Sequence, residues 1–345
     1  MKMMKRIARY ICLLALLPGT GQWALAQSVT KVGTTAAKFL SIPVTPRATA
    51  MGGSYVALAT DASAAYWNPG GLGRMERSEI TVMHSNYLLD LSFDYVAAAF
   101  VLPQGGALAI SITGLTMPEQ AITTIDDPEG LSSGTFGAGS FAVGLSYGRS
   151  LTDKFSIGGT AKLVQEKIYN SGASGIALDI GTLFTTPFRD IVLGVSITNF
   201  GQKLRIEGED LLTQKDIDPT INGNNESVNA FFATDRFDLP LALKIGIAYQ
   251  PYVSESSALT VVVNGYMPND NTQSMSFGGE YAFLNNMFFL RAGYQNLFMQ
   301  NNENSYTVGF GINYASQGVD LRFDYAFAEK VHLEGVHQFG LSFRF

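Results

Sequence analysis

Two short motifs in the middle of the sequence match patterns that bind nucleotides or carry out hydrolysis in other proteins. Residues 137–142 read GAGSFA, which fits the dinucleotide pattern GxGxxA, and residues 144–148 read GLSYG, which fits the nucleophile elbow. Both motifs do their chemistry at a turn between a strand and a helix. Here they fall within or beside one alternating apolar and polar run, 138–149, which predicts a strand. We therefore interpret Ser146 as a structural serine on the less apolar face of that strand.

Metal binding and acid–base catalysis also lack the spacing that they require. The loop Asp216–Gly223 combines acidic and amide side chains, but aligning it with an EF-hand places Asn229 where the bidentate glutamate belongs. A solvated polar loop is the favoured interpretation of 216–226, with calcium as the alternative. Three histidines are scattered without metal-ligand spacing: His84, His332 and His337. The sequence therefore predicts neither an enzyme nor a cofactor.

The first 26 residues have the pattern of a secretory signal peptide. Four basic residues precede the apolar run 11–17, and the small-residue site at 24–26 predicts cleavage near Ala26. Cleavage removes four of the 23 basic residues and none of the 29 acidic ones, which leaves a net charge of −10. Such an acidic chain is not expected to bind nucleic acid. It also contains no cysteine, since Cys12 lies in the leader.

The composition of the remaining chain predicts a transmembrane β-barrel of the all-β class. The sequence is 46% hydrophobic but only 15% charged, and no apolar run after the leader is long enough for a membrane helix. A closed antiparallel barrel satisfies the backbone of such an alternating chain in lipid. We predict a barrel over 79–345 with about 14 strands, near 79–87, 92–102, 105–114, 138–149, 154–167, 174–186, 190–200, 238–250, 256–266, 272–284, 286–297, 303–315, 318–328 and 336–345.

Alternation also predicts which side chains face the lumen. A charged residue on the lipid face at mid-bilayer costs about 2–4 kcal/mol, so strand charges are expected inside, paired with one another and with whatever fills the lumen. The predicted lumenal charges are Asp94, Lys162, Asp179, Lys244, Glu280, Arg291, Asp320, Arg322, Asp324 and Arg344. Phe100 and Phe289 are the apolar side chains that we expect along a lumenal path.

Connection lengths predict the orientation of the barrel. Outer-membrane barrels have short periplasmic turns and long external loops. With the N-terminus in the periplasm, the two longest gaps, 115–137 and 201–237, both fall outside. The chain then ends at Phe345 on the periplasmic side, as outer-membrane proteins commonly do.

The alternation is absent from residues 27–78, which we call the hatch. Its central part, Pro46–Gly73, is rich in alanine and glycine, and Asn68–Gly71 predicts a turn. Two interpretations are equally favoured: a plug folded into the lumen, with Gly52 and Gly53 against the wall, or a helix and turn outside the strands. The residues assigned to the plug are Arg47, Gly52, Gly53, Asp61, Trp67, Asn68, Pro69 and Gly70.

The same segment carries a resemblance to known families. Arg47-Ala48, Met51-Gly52-Gly53, Asp61–Ala64 and Tyr66–Leu72 resemble the N-terminal signature of the PorV/PorQ outer-membrane proteins, and the Asn-Pro part is similar to the hatch of FadL-type transporters. The usual Asn-Pro-Ala reads Asn68-Pro69-Gly70 here, which we expect to keep the turn but loosen it.

The resemblance implies two functions, and a purely structural barrel is the third possibility. PorV/PorQ similarity implies a role in type IX protein secretion, with the translocon and cargo C-terminal signal domains as partners of the external loops. FadL similarity implies transport of a hydrophobic ligand across the outer membrane. The first is modestly favoured because the match over Gly33–Gly73 is closer to PorV/PorQ.

Overall fold

The computed structural model describes residues 31–218, 220, 227–299, 302, 304–316 and 318–345. The predicted signal peptide and most of the 216–226 loop lie outside these residues. In the described part of the chain, no helix is both long and apolar enough to cross a membrane.

Fourteen antiparallel strands form one closed barrel, as predicted. Each strand pairs with its neighbours in sequence, and the first strand pairs with the last to close the ring. In chain order the strands are β1 Glu79–Asn86, β2 Ser92–Val101, β3 Ala107–Thr116, β4 Ala138–Thr152, β5 Phe155–Ile168, β6 Ser171–Thr185, β7 Val192–Gly201, β8 Ala242–Val253, β9 Ala258–Pro268, β10 Ser274–Phe283, β11 Phe288–Leu297, β12 Asn304–Ser316, β13 Val319–Lys330 and β14 Val336–Arg344.

The alternation of the sequence becomes the two faces of the barrel wall. In β1, Ile80 and Val82 point outward to lipid, whereas Thr81 and Met83 are buried inside. In β4, Ser146 is buried and hydrogen-bonds Thr160 of β5 through their hydroxyls at 2.8 Å. The interior of the barrel is therefore the core of the protein, and Ser146 is a structural lumenal residue.

Connections follow the predicted asymmetry. We call the end at which β1 begins and β14 ends the periplasmic end, following the predicted orientation. Turns of two to six residues join the strands there, and the two longest connections, 117–137 and 202–241, lie at the other, external end. These external segments contain short hairpins, which pair Gln120–Ala121 with Thr135–Phe136 and Leu212–Lys215 with Val228–Phe231.

In its described part, residues 31–78, the hatch contains only short elements. They are a 3₁₀ turn at Lys38–Ser41, a helix at Pro46–Ala50, a helix at Ala64–Trp67 and a 3₁₀ turn at Pro69–Arg74. Most of its residues between 37 and 72 are buried. Most of the apolar ones form a large cluster with inward side chains of the wall, and Met51 and Ala57 form a smaller one with Ala248 and Val262.

Three side chains do not have the predicted orientation. Asp94 and Phe100 lie on the outer face of β2, where Asp94 accepts a hydrogen bond from His84 and the Phe100 side chain is 47% exposed to the lipid side. Leu239, which alternation in the predicted strand 238–250 places on the face opposite Lys244, lies just before β8 and is buried inside. Leu239 precedes the first residue of β8, so the alternation of that strand does not apply to it. In β2 the register places Asp94 on the outer face, although its charge predicts the lumen.

Candidate functional site: the hatch and its two cavities

The hatch lies inside the lumen, where its backbone packs against glycines of the wall. Eight wall glycines on eight different strands each have a hatch atom closer than 3.0 Å to the position that a Cβ would take: Gly148, Gly158, Gly181, Gly194, Gly278, Gly293, Gly309 and Gly340. Because these strands are spread around the ring, the hatch contacts the wall on every side. The inside position is therefore the correct one of the two predicted for this segment.

Gly52 and Gly53 play different parts in this packing. Gly52 has a φ of +68°, and a Cβ there would lie 2.8 Å from the carbonyl oxygens of Phe277 and Tyr294. Its N–H donates to the Thr307 hydroxyl at 3.1 Å. Gly53 has a φ of +70°, but a Cβ there would meet only the Trp67 ring, at 3.8 Å. Of the two glycines, Gly52 alone is pressed against the wall.

The Asn68-Pro69-Gly70 turn fastens the hatch to β6. The Asn68 amide donates to the carbonyl oxygens of Val56 at 2.9 Å and Thr182 at 3.0 Å, and its oxygen accepts from the Gly70 N–H at 3.1 Å. A Cβ on Gly70 would lie 2.7 Å from the Gly181 carbonyl oxygen. An alanine at position 70 would therefore require the wall to move, and the loosening of this turn by glycine stays a prediction.

An ion-pair cluster joins the hatch to the wall in the periplasmic half of the lumen. Arg47 of the hatch makes two hydrogen bonds to the Glu280 carboxylate, at 2.9 and 2.6 Å, and one to the Tyr55 hydroxyl at 2.9 Å. Arg291 also binds Glu280, at 2.7 Å. Asp61 accepts a hydrogen bond from Tyr55 and lies 3.8 Å from Arg47. Glu280 is thus the centre of the cluster and belongs to the wall, whereas Arg47 belongs to the hatch.

Other predicted lumenal charges pair along the wall itself. Asp324 binds Arg291 at 2.7 Å and Arg322 at 3.0 Å, and Arg344 binds Glu79 at 2.8 Å. The Phe289 ring, which is inside as predicted, lies 4.5 Å from the Arg322 guanidinium carbon. The terminal Phe345 donates its N–H to the Ser78 carbonyl oxygen at 2.9 Å at the periplasmic end. Most of the predicted charges are therefore neutralised close to the wall.

The hatch separates two cavities of opposite chemistry. A periplasmic cavity of about 720 Å³ lies beside the ion pairs, and five arginines and five carboxylates line it. An outer cavity of about 310 Å³ lies on the external side of the hatch. Its apolar and aromatic lining residues include Ile42, Tyr66, Trp67, Tyr87, Tyr266 and Met299.

Tyr66 and Trp67 form the floor of the outer cavity and are fixed there by hydrogen bonds. The Tyr66 hydroxyl donates to the carbonyl oxygens of Leu40 or Ile42, at 2.9 and 2.7 Å, and the Trp67 indole N–H donates to Val44 at 3.1 Å. Their rings meet edge to face with centroids 5.3 Å apart. Trp67 therefore lies directly before the Asn68-Pro69-Gly70 turn and also lines the outer cavity, so it connects these two parts of the hatch.

A third polar cluster in the lumen consists of Asp179, Lys162 and Asn199, and the sequence did not predict Asn199 as a member. Asp179 binds Lys162 at 2.8 Å, as expected of lumenal charges, and accepts the Asn199 N–H at 2.7 Å. The register between β6 and β7 shifts at this point, and Asn199 has a φ of +63°. The bulge turns Asn199 inward beside Thr198. An asparagine inside an apolar strand is the only signal that marks it in the sequence.

The fold is shared with solved outer-membrane transporters. A FadL homologue of Pseudomonas aeruginosa matches at 12% identity and a TM-score of 0.53, over 88% of this chain and 98% of its own. The Pseudomonas putida toluene transporter TodX matches at 13% identity and a TM-score of 0.52, over 86% and 96%. The monoaromatic hydrocarbon channel CymD matches at 12% identity and a TM-score of 0.54, over 87% and 96%.

This chain has the FadL-type barrel fold. No protein-family model matches the sequence, and no curated protein matches it. The PorV/PorQ resemblance is therefore not confirmed by a family match, and the structural likeness, at 12–13% identity, concerns the fold alone.

Proposed function

We propose that this protein transports small hydrophobic molecules across the outer membrane. The observation that carries the proposal is the outer cavity, an aromatic-lined space of about 310 Å³ whose floor is the hatch. Ligand sites are typically concave, mostly apolar and of this volume or larger, with a few polar groups. The similar barrels TodX and CymD, described as a toluene transporter and a hydrocarbon channel, support the same direction.

In this proposal a ligand enters the outer cavity from the external side and rests on Tyr66 and Trp67. The polar periplasmic cavity lies on the far side of the hatch, where five arginines and five carboxylates line it. An apolar ligand is retained in the first space and disfavoured in the second. Passage then requires the hatch to move, because its backbone closes the lumen against the wall glycines.

The test compares two tryptophan substitutions on neighbouring residues of β13. Ala328 lines the outer cavity and is buried, whereas Phe327 points to lipid. Ala328→Trp is expected to fill the cavity, and Phe327→Trp is expected to leave it open. Cells of a Gram-negative host that lacks its own FadL-type proteins are given radiolabelled toluene, and the initial rate of uptake is measured.

We expect the parent protein and Phe327→Trp to raise uptake above that of cells with an empty vector, and Ala328→Trp to return it to the vector rate. Heat-modifiable migration on gels checks that both variants form barrels. Equal uptake by the two variants would sink the outer cavity as the binding site, and no uptake by the parent would sink hydrocarbon transport.

A second candidate is the secretion role, in which the external segments bind the translocon and cargo C-terminal signal domains. The observation in its favour is a set of large apolar side chains exposed on these segments, namely Ile125, Leu131, Phe231 and Phe232. Beside Leu131, the pKa of the Asp127 carboxyl lies well below its usual range because the Ser132 N–H and the Ser133 hydroxyl donate to it.

Affinity purification from outer membranes distinguishes this candidate. A variant with Phe231→Ser and Phe232→Ser is the matched probe, because both side chains are more than half exposed. We expect their loss to leave the barrel intact. Co-purification of C-terminal signal domains with the parent but not with this variant supports the secretion role. Recovery of the barrel without protein partners from both counts against it.

A further inference from the structure

Lys244 is a buried cation that the wall and the hatch leave without a carboxylate. It lies on the inner face of β8 and is only 7% exposed. Its ammonium nitrogen lies 5.2 Å from the centroids of both the Tyr66 and the Trp67 rings. Among the described residues it makes neither a hydrogen bond nor an ion pair. It lines the outer cavity, so its charge is directed into that space.

The surroundings of Lys244 offer its ammonium no direct acidic partner among the described residues. The lumenal acid Asp179 is already bound by Lys162 at 2.8 Å and by the Asn199 N–H at 2.7 Å. Lys38, which also lines the outer cavity, is paired with Asp270 at 2.5 Å. No aspartate or glutamate is found among the described residues that line the outer cavity. The described lining of the outer cavity therefore carries positive but no negative side chains, which favours a bound anion over a bound cation.

A buried ammonium without an anionic partner is costly, and the faces of two aromatic rings repay only part of that cost. An anion that entered the cavity would supply the missing partner. The Thr49 hydroxyl, which is buried and makes no hydrogen bond among the described residues, lines the same cavity and can donate to that anion. A neutral hydrocarbon satisfies neither group.

The other residues that line the outer cavity determine the size and the apolar part of the ligand. Four aromatic side chains contribute to the cavity, namely Tyr66, Trp67, Tyr87 and Tyr266, and aromatic rings pack favourably edge to face on such surfaces. The volume of about 310 Å³ is at the lower end of ligand pockets. A compact ring with one negative group fits both the size and the charge.

We propose that Lys244 is the anion-binding group of a subsite that selects small aromatic monocarboxylates. The inference rests on the proposed function, because it assigns a substrate class to the same outer cavity. The carboxylate binds the Lys244 ammonium, and the ring lies against the aromatic side chains of the hatch. Lys244 thereby sets the specificity of the cavity for an anion over a neutral molecule of the same shape.

Trp67 provides the readout. After cleavage near Ala26 it is the only tryptophan of the chain, since the other, Trp23, lies in the leader. The intact mature protein in nanodiscs of neutral phospholipid is titrated with benzoate, benzyl alcohol and benzylamine, which share one ring and differ in charge. We expect benzoate to change the Trp67 emission and to bind about 10- to 100-fold more tightly than benzyl alcohol, as a charge-assisted hydrogen bond allows. Benzylamine is expected to bind most weakly.

Two lysine variants locate the effect. Lys244→Met keeps the length of the side chain and removes the charge, and it is expected to lower benzoate affinity to that of benzyl alcohol. Lys38→Met removes a cation from the same cavity that is already paired, and benzoate is expected to bind this variant as it binds the parent. Gel migration before and after heating checks that each variant is folded.

Failure of this inference differs from failure of the proposed function. Equal affinities for benzoate and benzyl alcohol in the parent would overturn the anion subsite and leave a neutral hydrophobic ligand in place. No binding of any of the three would count against the outer cavity itself. Tighter binding of octanoate than of benzoate would overturn the aromatic part of the assignment.

Discussion

The two ends of the lumen differ in how they treat charge. In the periplasmic half, Glu280 gathers Arg47 of the hatch and Arg291 of the wall, and Arg344 has its own partner in Glu79. In the outer half, aromatic side chains dominate, and Lys244 remains unpaired. Breaking a buried ion pair is strongly destabilising, so the paired charges fix the hatch to the wall. A buried charge without a partner inside a cavity is a candidate ligand-binding group. The ion pairs thus fasten the hatch on the periplasmic side, and the outer side is the binding surface that we propose.

The largest expected effect comes from removing the carboxylate at the centre of that fastening. Glu280→Gln leaves the guanidinium groups of Arg47 and Arg291 buried without the negative charge that they share. Breaking a buried ion pair on one side costs about 3–5 kcal/mol. We expect the hatch to detach while the barrel, which is held by its strand pairs, persists. Planar-bilayer recordings should show ion conductance in the variant and almost none in the parent.

Glu79→Gln is the matched control for Glu280→Gln. Glu79 is as buried as Glu280, at 4% exposure for both residues, but it binds Arg344 of the wall and no hatch side chain. This variant should therefore destabilise the barrel end without opening the lumen. Equal conductance in the two variants would mean that the ion pairs hold the wall and that the hatch is fixed by its backbone alone.

The second expected effect measures how much the backbone contacts between hatch and wall contribute, separately from the ion pairs. Alanine at Gly52 places its Cβ 2.8 Å from two wall carbonyl oxygens, whereas alanine at Gly53 meets the Trp67 ring at an ordinary 3.8 Å. Both substitutions bear a similar cost for a positive φ, so their difference reports the contact with the wall. Overpacking costs about 1–3 kcal/mol, and Gly52→Ala is expected to be the less stable variant by that amount.

The measurement for this glycine pair is the denaturant concentration at which the hatch becomes sensitive to protease while the barrel remains heat-modifiable. Gly52→Ala should become sensitive first, then Gly53→Ala, then the parent. If Gly53→Ala is the more sensitive of the two variants, the wall is free to yield at Phe277 and Tyr294. The close approach of the hatch would then contribute little to its stability.

Most of the barrel could be predicted from the sequence because the orientation of each side chain depends on its neighbours in the same strand. Alternation along one strand, as in Val319–Lys330, decides which side chains face lipid, and turn residues set where strands end. The prediction failed where alternation gives no information. Leu239 lies outside the strand that its pattern suggested, and the Asp94 carboxylate finds His84 on the outer face near the strand end, where water is close.

The site was predictable in composition but not in contacts. Small residues in the hatch indicated a close approach to the wall, yet Gly181 and Gly293 of the wall are separated from their hatch partners by more than 100 residues. Such pairs depend on the closure of the ring, which no local pattern encodes. The unpaired state of Lys244 is likewise invisible in the sequence, because it depends on Lys162 having taken Asp179.

The smallest expected effect concerns an ion pair that joins described residues of the hatch and the wall at the outer end. Lys38 and Asp270 lie 2.5 Å apart, but the lysine side chain is 54% exposed. The exposed lysine leaves this pair open to screening by salt. The Asp270 side chain is only 1% exposed, but without the lysine it still accepts a hydrogen bond from the Thr35 hydroxyl at 2.7 Å. Lys38→Met should therefore leave the protease sensitivity of the hatch and the bilayer conductance near those of the parent, and any small difference should vanish in high salt. If Lys38→Met opens the lumen as Glu280→Gln does, the hatch is fastened at both ends and the contrast between the two cavities is one of ligand chemistry alone.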